Sequence, residues 1–193
     1  MPSSNGADPD FFYDLPPRSS ATFRTPGTAS QIRTGWSQVV PMSGTPNPSG
    51  SLILSHRAGA TITSLGTIFS APSSSSYTVY VETSGSANQP SSLQTSLSIA
   101  NPNFSRVTVR IQLLASNGTP TQRQGVLTLA ARDKVTMPLN QIPGLTGLEP
   151  AFKGMVWVGG EAISAVALSV RYNSRGEAVI TSAPALNASG TLP

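Results

Sequence analysis

The sequence predicts an all-β chain, folded as one or more antiparallel β-sandwiches, and three observations carry that prediction. Short runs of strict apolar/polar alternation recur along the chain. The most regular is Val107-Thr-Val-Arg-Ile-Gln-Leu-Leu114, which sets Val107, Val109, Ile111 and Leu113 on one face. Turn formers are abundant, with 17 Gly and 17 Pro in 193 residues, and they separate strands at the 8–12-residue spacing of sandwiches and barrels. No amphipathic 3.6-residue period survives beyond one turn, so nothing reads as a helix.

Taken in order, residues 1–10 are polar, with turn signals at Asn5-Gly6 and Asp8-Pro9. Phe11 to Tyr13 opens a strand, Pro16-Pro17 breaks it, and Ser20 to Thr25 resumes it. Gly35 to Val40 reads as the next strand, then a Pro/Gly/Ser loop runs from Pro41 to Gly50. Ser51–Arg57 and Ala60–Ser64 form a hairpin around Ala58-Gly59. Ala71–Ser76 has the composition of a linker. Beyond it, Tyr77–Glu82 alternates, Thr83–Ser92 is a polar loop, and Leu93–Asn101 and Val107–Leu114 read as an antiparallel pair joined at Asn101-Pro102-Asn103, where Pro presets φ and Asn tolerates the left-handed region. Gly125–Leu129 follows the Asn117-Gly118 turn, and Lys134–Leu139 continues it after a kink. Asn140–Pro150, with Ile142, Leu145 and Leu148, is expected to cap one end of the core. Gly154–Val158, Ile163–Tyr172 and Ala178–Thr181 are the last three strands, the final two joined by the Asn173–Gly176 turn.

The two halves share landmarks in the same order. Leu15–Phe23 matches Leu129–Met137, with Arg18 aligned to Arg132. Gly35–Val39 matches Gly154–Val158, Ile53–Arg57 matches Ala167–Arg171, and Ile62–Ser64 matches Ile180–Ser182. Ser4-Asn5-Gly6 falls where Ser116-Asn117-Gly118 does. The second copy carries three strands ahead of that turn, at 77–82, 93–101 and 107–114, and the first copy carries none. The expected organisation is an incomplete first repeat over 1–70, a linker over 71–76, a complete sandwich repeat over 77–184 and a flexible tail over 185–193. A sandwich without its front strands leaves apolar surface and open edges, and three outcomes are expected: a chain cut from a longer protein, a first half packed onto the second as one sandwich, or a strand from another chain filling the gap by β-addition.

Tyr77–Glu82, Leu93–Pro102, Leu139-Asn140, Phe152-Lys-Gly154 and Val170–Glu177 together resemble a duplicated β domain found in large secreted proteins of Acidobacteria and related soil bacteria. The likeness covers about residues 11–184. It implies an extracellular, surface or matrix setting and no catalytic residues; family members carry front strands in the first copy too.

Composition narrows the function classes. Only 10% of residues are charged, so the polar surface is carried mainly by hydroxyls and amides, as in many secreted β proteins. The formal charge of +4 comes from twelve scattered basic residues with no cluster interleaved with aromatics, which argues against nucleic acid as a partner. With no cysteine, neither disulfides nor thiolate chemistry is available. No apolar run is long enough for a membrane helix. Met1 to Gly6 lacks the basic start and apolar core of a signal peptide, so export would require a removed leader or a longer protein.

No catalytic constellation emerges, and an enzyme is not expected. His56 is the one histidine, without a nucleophile-elbow serine near it, and reads as structural. The eight acids are spread singly, which does not suggest the facing pair of a glycosidase. Asp8, Asp10 and Asp14 are the nearest thing to a calcium cluster but lack the Gly and Glu of a loop motif, so neither metal nor cofactor is expected. Asn103, Asn117 and Asn187 open Asn-x-Ser/Thr triplets, which carry little weight in a bacterial protein. Trp36 and Trp157 occupy similar strands of the two copies; core packing is the favoured expectation, and exposed they would stack on sugar rings. The functional expectation is a non-enzymatic extracellular or cell-surface structural protein, self-associating as a fibre or surface-layer subunit by β-strand complementation. Its partners would be further copies or neighbouring domains of the same protein. The alternative is a carbohydrate-binding or adhesion module with polysaccharide as ligand.

Overall fold

The computed structural model describes residues 12–24, 35–46, 48–58, 61–87, 89–148, 151–175, 177–183 and 185–187, of which 55–58, 61–65, 69 and 187 are described as backbone only. The chain divides into two compact units, Met1–Thr34 and Gly35–Pro193. In the first, the described stretch is non-strand chain. Ser19 turns back on Pro16, its N–H and hydroxyl both donating to that carbonyl, and the Tyr13 and Phe23 rings meet edge to face at 5.3 Å.

The second unit is all-β and antiparallel. β1 (Ser51–Ala58) and β2 (Thr61–Phe69) form a two-stranded sheet. The larger sheet has eight strands: β3 (Ser74–Ser84), β4 (Leu93–Ala100), β5 (Val107–Ala115), β6 (Pro120–Leu129), β7 (Lys134–Pro138), β8 (Ala151–Tyr172), β9 (Ala178–Ala183) and β10 (Leu186–Asn187). One 3₁₀ turn, Leu139–Gln141, interrupts the strands.

β8 organises the whole. Its first half pairs with β3 on one side and β5 on the other; its second half pairs with β4 and β9. The halves face their core with opposite parity. Val156 and Val158 are buried, and so are Ile163, Ala165 and Ala167, although Ile163 stands an odd five positions after Val158. A regular strand keeps one face only at even spacing. The irregularity is absorbed at 159–162, where Ala162 has φ 48° and Ser74 and Ser76 of β3 stand opposite Ile163 and Gly159. This bulge lets one strand serve a sheet curled around a single core. Tyr77 and Val79 of β3, Leu97 and Ile99 of β4, Val109 and Ile111 of β5 all belong to that core.

The expected cap is present: Ile142 and Leu145 are fully buried, and the loop presses on β6 so closely that a Cβ on Gly125 would stand 2.4 Å from the Pro143 carbonyl oxygen. The expected hairpins at 51–64 and 163–181 form as well, the latter with the Asn173 Oδ1 accepting from the Arg175 and Glu177 N–H groups.

Several expectations are corrected. β4 and β5 are not a hairpin: each pairs with a different half of β8, because the Asn101 corner hydrogen-bonds outward and carries the chain across the core instead of folding it back. β7 does not continue β6. A turn at Ala131-Arg132, with Arg132 at φ 58°, redirects the chain to pair with β4. Gly154–Val158 and Ile163–Tyr172 are one strand, not two. Ser74–Ser76 of the expected linker pair with β8, and Leu186-Asn187 of the expected tail pair with Thr78 and Tyr77. Among the described residues, Ser20–Arg24 and Gly35–Val40 form no strand; they are mostly exposed and have no ladder partner to hold them extended. Phe11, Thr25 and the Ser4–Gly6 turn lie outside the described residues.

Candidate functional site

Three features stand out from the folded body: an open strand edge, an arginine-centred clamp and an aromatic platform.

The edge belongs to β1. Its sequence counterpart in the second copy, Ala167–Arg171 of β8, is flanked by β4 on one side and β9 on the other. β1 has β2 on one side and, among the described residues, no strand on the other. Its apolar residues Leu52 and Ile53 are 55% and 63% exposed, although successive side chains on a strand point to opposite faces. β2 is held at the other side of the hairpin. Gly66 lies so close to Ile180 of β9 that a Cβ would meet the Ile180 carbonyl oxygen at 2.8 Å, and the Ser182 hydroxyl donates to the Thr67 carbonyl.

The clamp fastens the corner between β4 and β5. Asn101 is fully buried and fully used: its N–H donates to the Asp133 carbonyl, and its Nδ2 donates to the Ala130 and Ser105 carbonyls at 2.7 and 2.8 Å. Its Oδ1 accepts from the backbone N–H and Nδ2 of Asn103. The Arg132 N–H donates to the Asn103 carbonyl, and its guanidinium donates to the Pro102 carbonyl and to Oε1 of Gln38. That guanidinium also lies 5.0 Å from the ring centroids of both Trp36 and Phe104, within cation–π range. The Trp36 Nε1 donates to the Arg132 carbonyl at 3.3 Å. Trp36 is therefore half-buried against an arginine and outside the apolar core.

Trp157 is not in the core either. It sits on the outward face of β8, between Val156 and Val158, which point in. Its six-membered ring folds down over Gly159, where a Cβ would clash with ring carbons at 2.0 to 2.7 Å. Strand tryptophan here covers a glycine instead of filling the interior. Tyr80, opposite Met155 in the neighbouring row, is 44% exposed and donates to the Glu82 carboxylate at 2.8 Å. Partial burial, then that carboxylate, push the Tyr80 phenol pKa up. Thr78 and Gln112 flank Trp157 in register, and Leu186 stands beside Thr78.

Elsewhere the chemistry is sparse. A cavity of about 40 Å³ between Thr83, Gln94, Thr95 and Leu139 is large enough for a water, not a substrate. The buried Thr83 Oγ1, which has no protein partner, lines it. Among the described residues, no group of three His, Cys, Asp or Glu side chains comes together as metal ligands. Asp8, Asp10 and the side chain of His56 lie outside the described residues. The clamp escaped sequence reasoning; its one available signal was the alignment of Arg18 with Arg132 in the repeat.

No protein-family model and no curated protein matches the chain. Among solved structures, the chain is similar to one described as the crystal structure of Thermotoga maritima 1070, at 11% identity and a TM-score of 0.45, over 62% of this chain and 98% of that one.

Proposed function

We propose that this chain is a non-enzymatic structural protein of an extracellular or cell-surface assembly, and that copies join by strand pairing along β1. One observation carries the reading. Ala167–Arg171, which aligns in sequence with Ile53–Arg57, is paired on both sides, whereas β1 is paired on one side among the described residues and carries exposed Leu52 and Ile53. An unpaired edge with apolar side chains is a template for another strand. Antiparallel pairing of β1 with β1 of a second copy satisfies both edges through one two-fold interface. The neutral, hydroxyl-rich surface and the resemblance to secreted repeat proteins favour the setting outside the cell.

The test is sedimentation of the purified chain across a concentration series, beside a Leu52→Lys/Ile53→Lys variant. Wild type should associate as concentration rises, and the variant should need at least tenfold more protein to do so. A wild-type chain that stays monomeric to millimolar concentration ends the proposal.

A second reading rests on Trp157, whose ring lies against the sheet over Gly159, with Thr78 and Gln112 in register on either side. A flat aromatic face ringed by hydroxyl and amide groups suits the apolar face of a sugar ring. Affinity electrophoresis in polysaccharide gels tests it: retardation of wild type that Trp157→Ala abolishes supports a carbohydrate-binding role. Equal mobility of the two proteins in every gel removes that role.

A further inference from the structure

The arginine turn occurs twice, and the protein shows what one of the two is for. Leu15–Phe23 and Leu129–Met137 align residue by residue, and the structure gives both blocks the same unusual backbone: Arg18 has φ 61° and Arg132 has φ 58°. A long side chain in the left-handed region costs free energy and persists where its placement is used. At Arg132 the use is visible. The turn grips the corner Asn101-Pro102-Asn103-Phe104 through a backbone N–H, a backbone carbonyl, a guanidinium hydrogen bond to Pro102 and a cation–π contact with Phe104. Arg18, held in the same conformation, is exposed. Pro16 and Pro17 stiffen the turn before it, and Ser19 donates twice to the Pro16 carbonyl, so the turn is fixed by its own residues.

We infer that the Arg18 turn is a second corner clamp, and that its ligand is a peptide corner of the type Asn-Pro-Asn-aromatic on another polypeptide. The count of parts argues for an outside donor. The sequence holds the arginine turn twice but Asn-Pro-Asn-Phe once, at 101–104, and that corner is already engaged by Arg132. Recognition would use the arginine side chain for both the proline carbonyl and the aromatic ring, a combination lysine cannot reproduce because it lacks the planar fork. The inference stands apart from pairing at β1; it concerns a turn in the first compact unit, and either can fail without the other.

The experiment uses the full chain and a labelled peptide with the sequence of residues 97–106, read by fluorescence anisotropy. Wild type should bind it saturably. Arg18→Glu should weaken binding at least tenfold and Arg18→Lys by a smaller factor, while Arg175→Glu, a charge reversal at an exposed turn, should leave it within about twofold. A peptide carrying Phe104→Ala should also bind at least tenfold more weakly. Unchanged circular dichroism of the Arg18 variants shows that the exposed turn tolerates them. Three results overturn the inference: no saturable binding by wild type, equal binding by Arg18→Glu, or an equal loss in Arg175→Glu, which would mean that the peptide responds to net charge and not to the Arg18 turn.

Discussion

At the scale of single residues, this fold depends on a few places where backbone comes unusually close to something else. Gly154 is one of them. A Cβ there would stand 2.3 Å from the Leu114 carbonyl oxygen of β5 and 2.6 Å from the Phe152 ring, and the carbonyl cannot move without breaking the β5–β8 ladder. Gly154→Ala should therefore destabilise by about 1–3 kcal/mol, the usual range for overpacking, measured as a shift in denaturant midpoint at unchanged slope. Tyr77 makes a different prediction. It is fully buried, and its hydroxyl donates to the Ile163 carbonyl at 3.1 Å. Burial pushes its phenol pKa up from the ordinary 10.0. Above pH 10 the unfolded chain sheds that proton while the folded one keeps it, so stability present below that pH is lost as pH rises. Tyr77→Phe should cost about 1 kcal/mol at neutral pH through the lost hydrogen bond. Its deficit relative to wild type should shrink above pH 10, where only wild type loses stability through ionisation of residue 77 in the unfolded chain. Chemical denaturation at pH 7 and pH 11 checks both parts.

At the scale of elements, β8 is decisive, and its bulge is the test. Val158 and Ile163 share the core only because the segment 159–162 absorbs a parity change. Deleting Ala162 would bring Ile163 to four positions from Val158, an even spacing at which a regular strand keeps both on the core face without a bulge. Ala162→Val, a β-branched residue that resists φ 48°, should lower the melting temperature, whereas Ala162→Gly, which accepts that φ without strain, and the deletion variant should both keep cooperative unfolding; thermal melts followed by near-ultraviolet circular dichroism distinguish them. This element also shows what sequence could and could not convey. Alternation in Val107–Leu114 and Leu93–Ala100 displayed strand identity and buried face correctly, since period 2 is a local property. Pairing is not local. The short Asn-Pro-Asn corner resembles a hairpin turn, yet Asn101 spends its side chain on Ala130, 29 residues away, and the strands part. Gly159-Gly160 reads as a break because glycines usually punctuate, but here Gly159 lies inside a continuous strand beneath the Trp157 ring. The same limit hid the site. Arg132 was legible as a repeat landmark, while its left-handed turn and the two rings around it arise from contacts 96 and 28 residues away in sequence (Trp36 and Phe104).

At the scale of the molecule, the β1–β2 hairpin and the eight-stranded sheet differ in how they are held, and that difference is measurable. The larger sheet encloses a core around β8, which is paired along both sides; among the described residues, the hairpin β1–β2 is held to it through β2, where Gly66 abuts Ile180 and Thr67 accepts from Ser182. Amide hydrogen exchange follows local opening, so protection should be graded within one chain. Amides of Val156, Val158 and Val109, buried in the centre of the sheet, should exchange only through global unfolding and slow with overall stability. In dilute protein, those β1 amides that point away from β2 should exchange orders of magnitude faster. If copies join along β1, raising the concentration should slow that group and leave the core amides unchanged, because the new bonds form only at the edge. Uniform slowing of all amides with concentration would instead indicate that association stabilises the whole fold. A β1 edge that stays fast at every concentration would leave strand pairing without a physical basis, whatever the sedimentation profile shows.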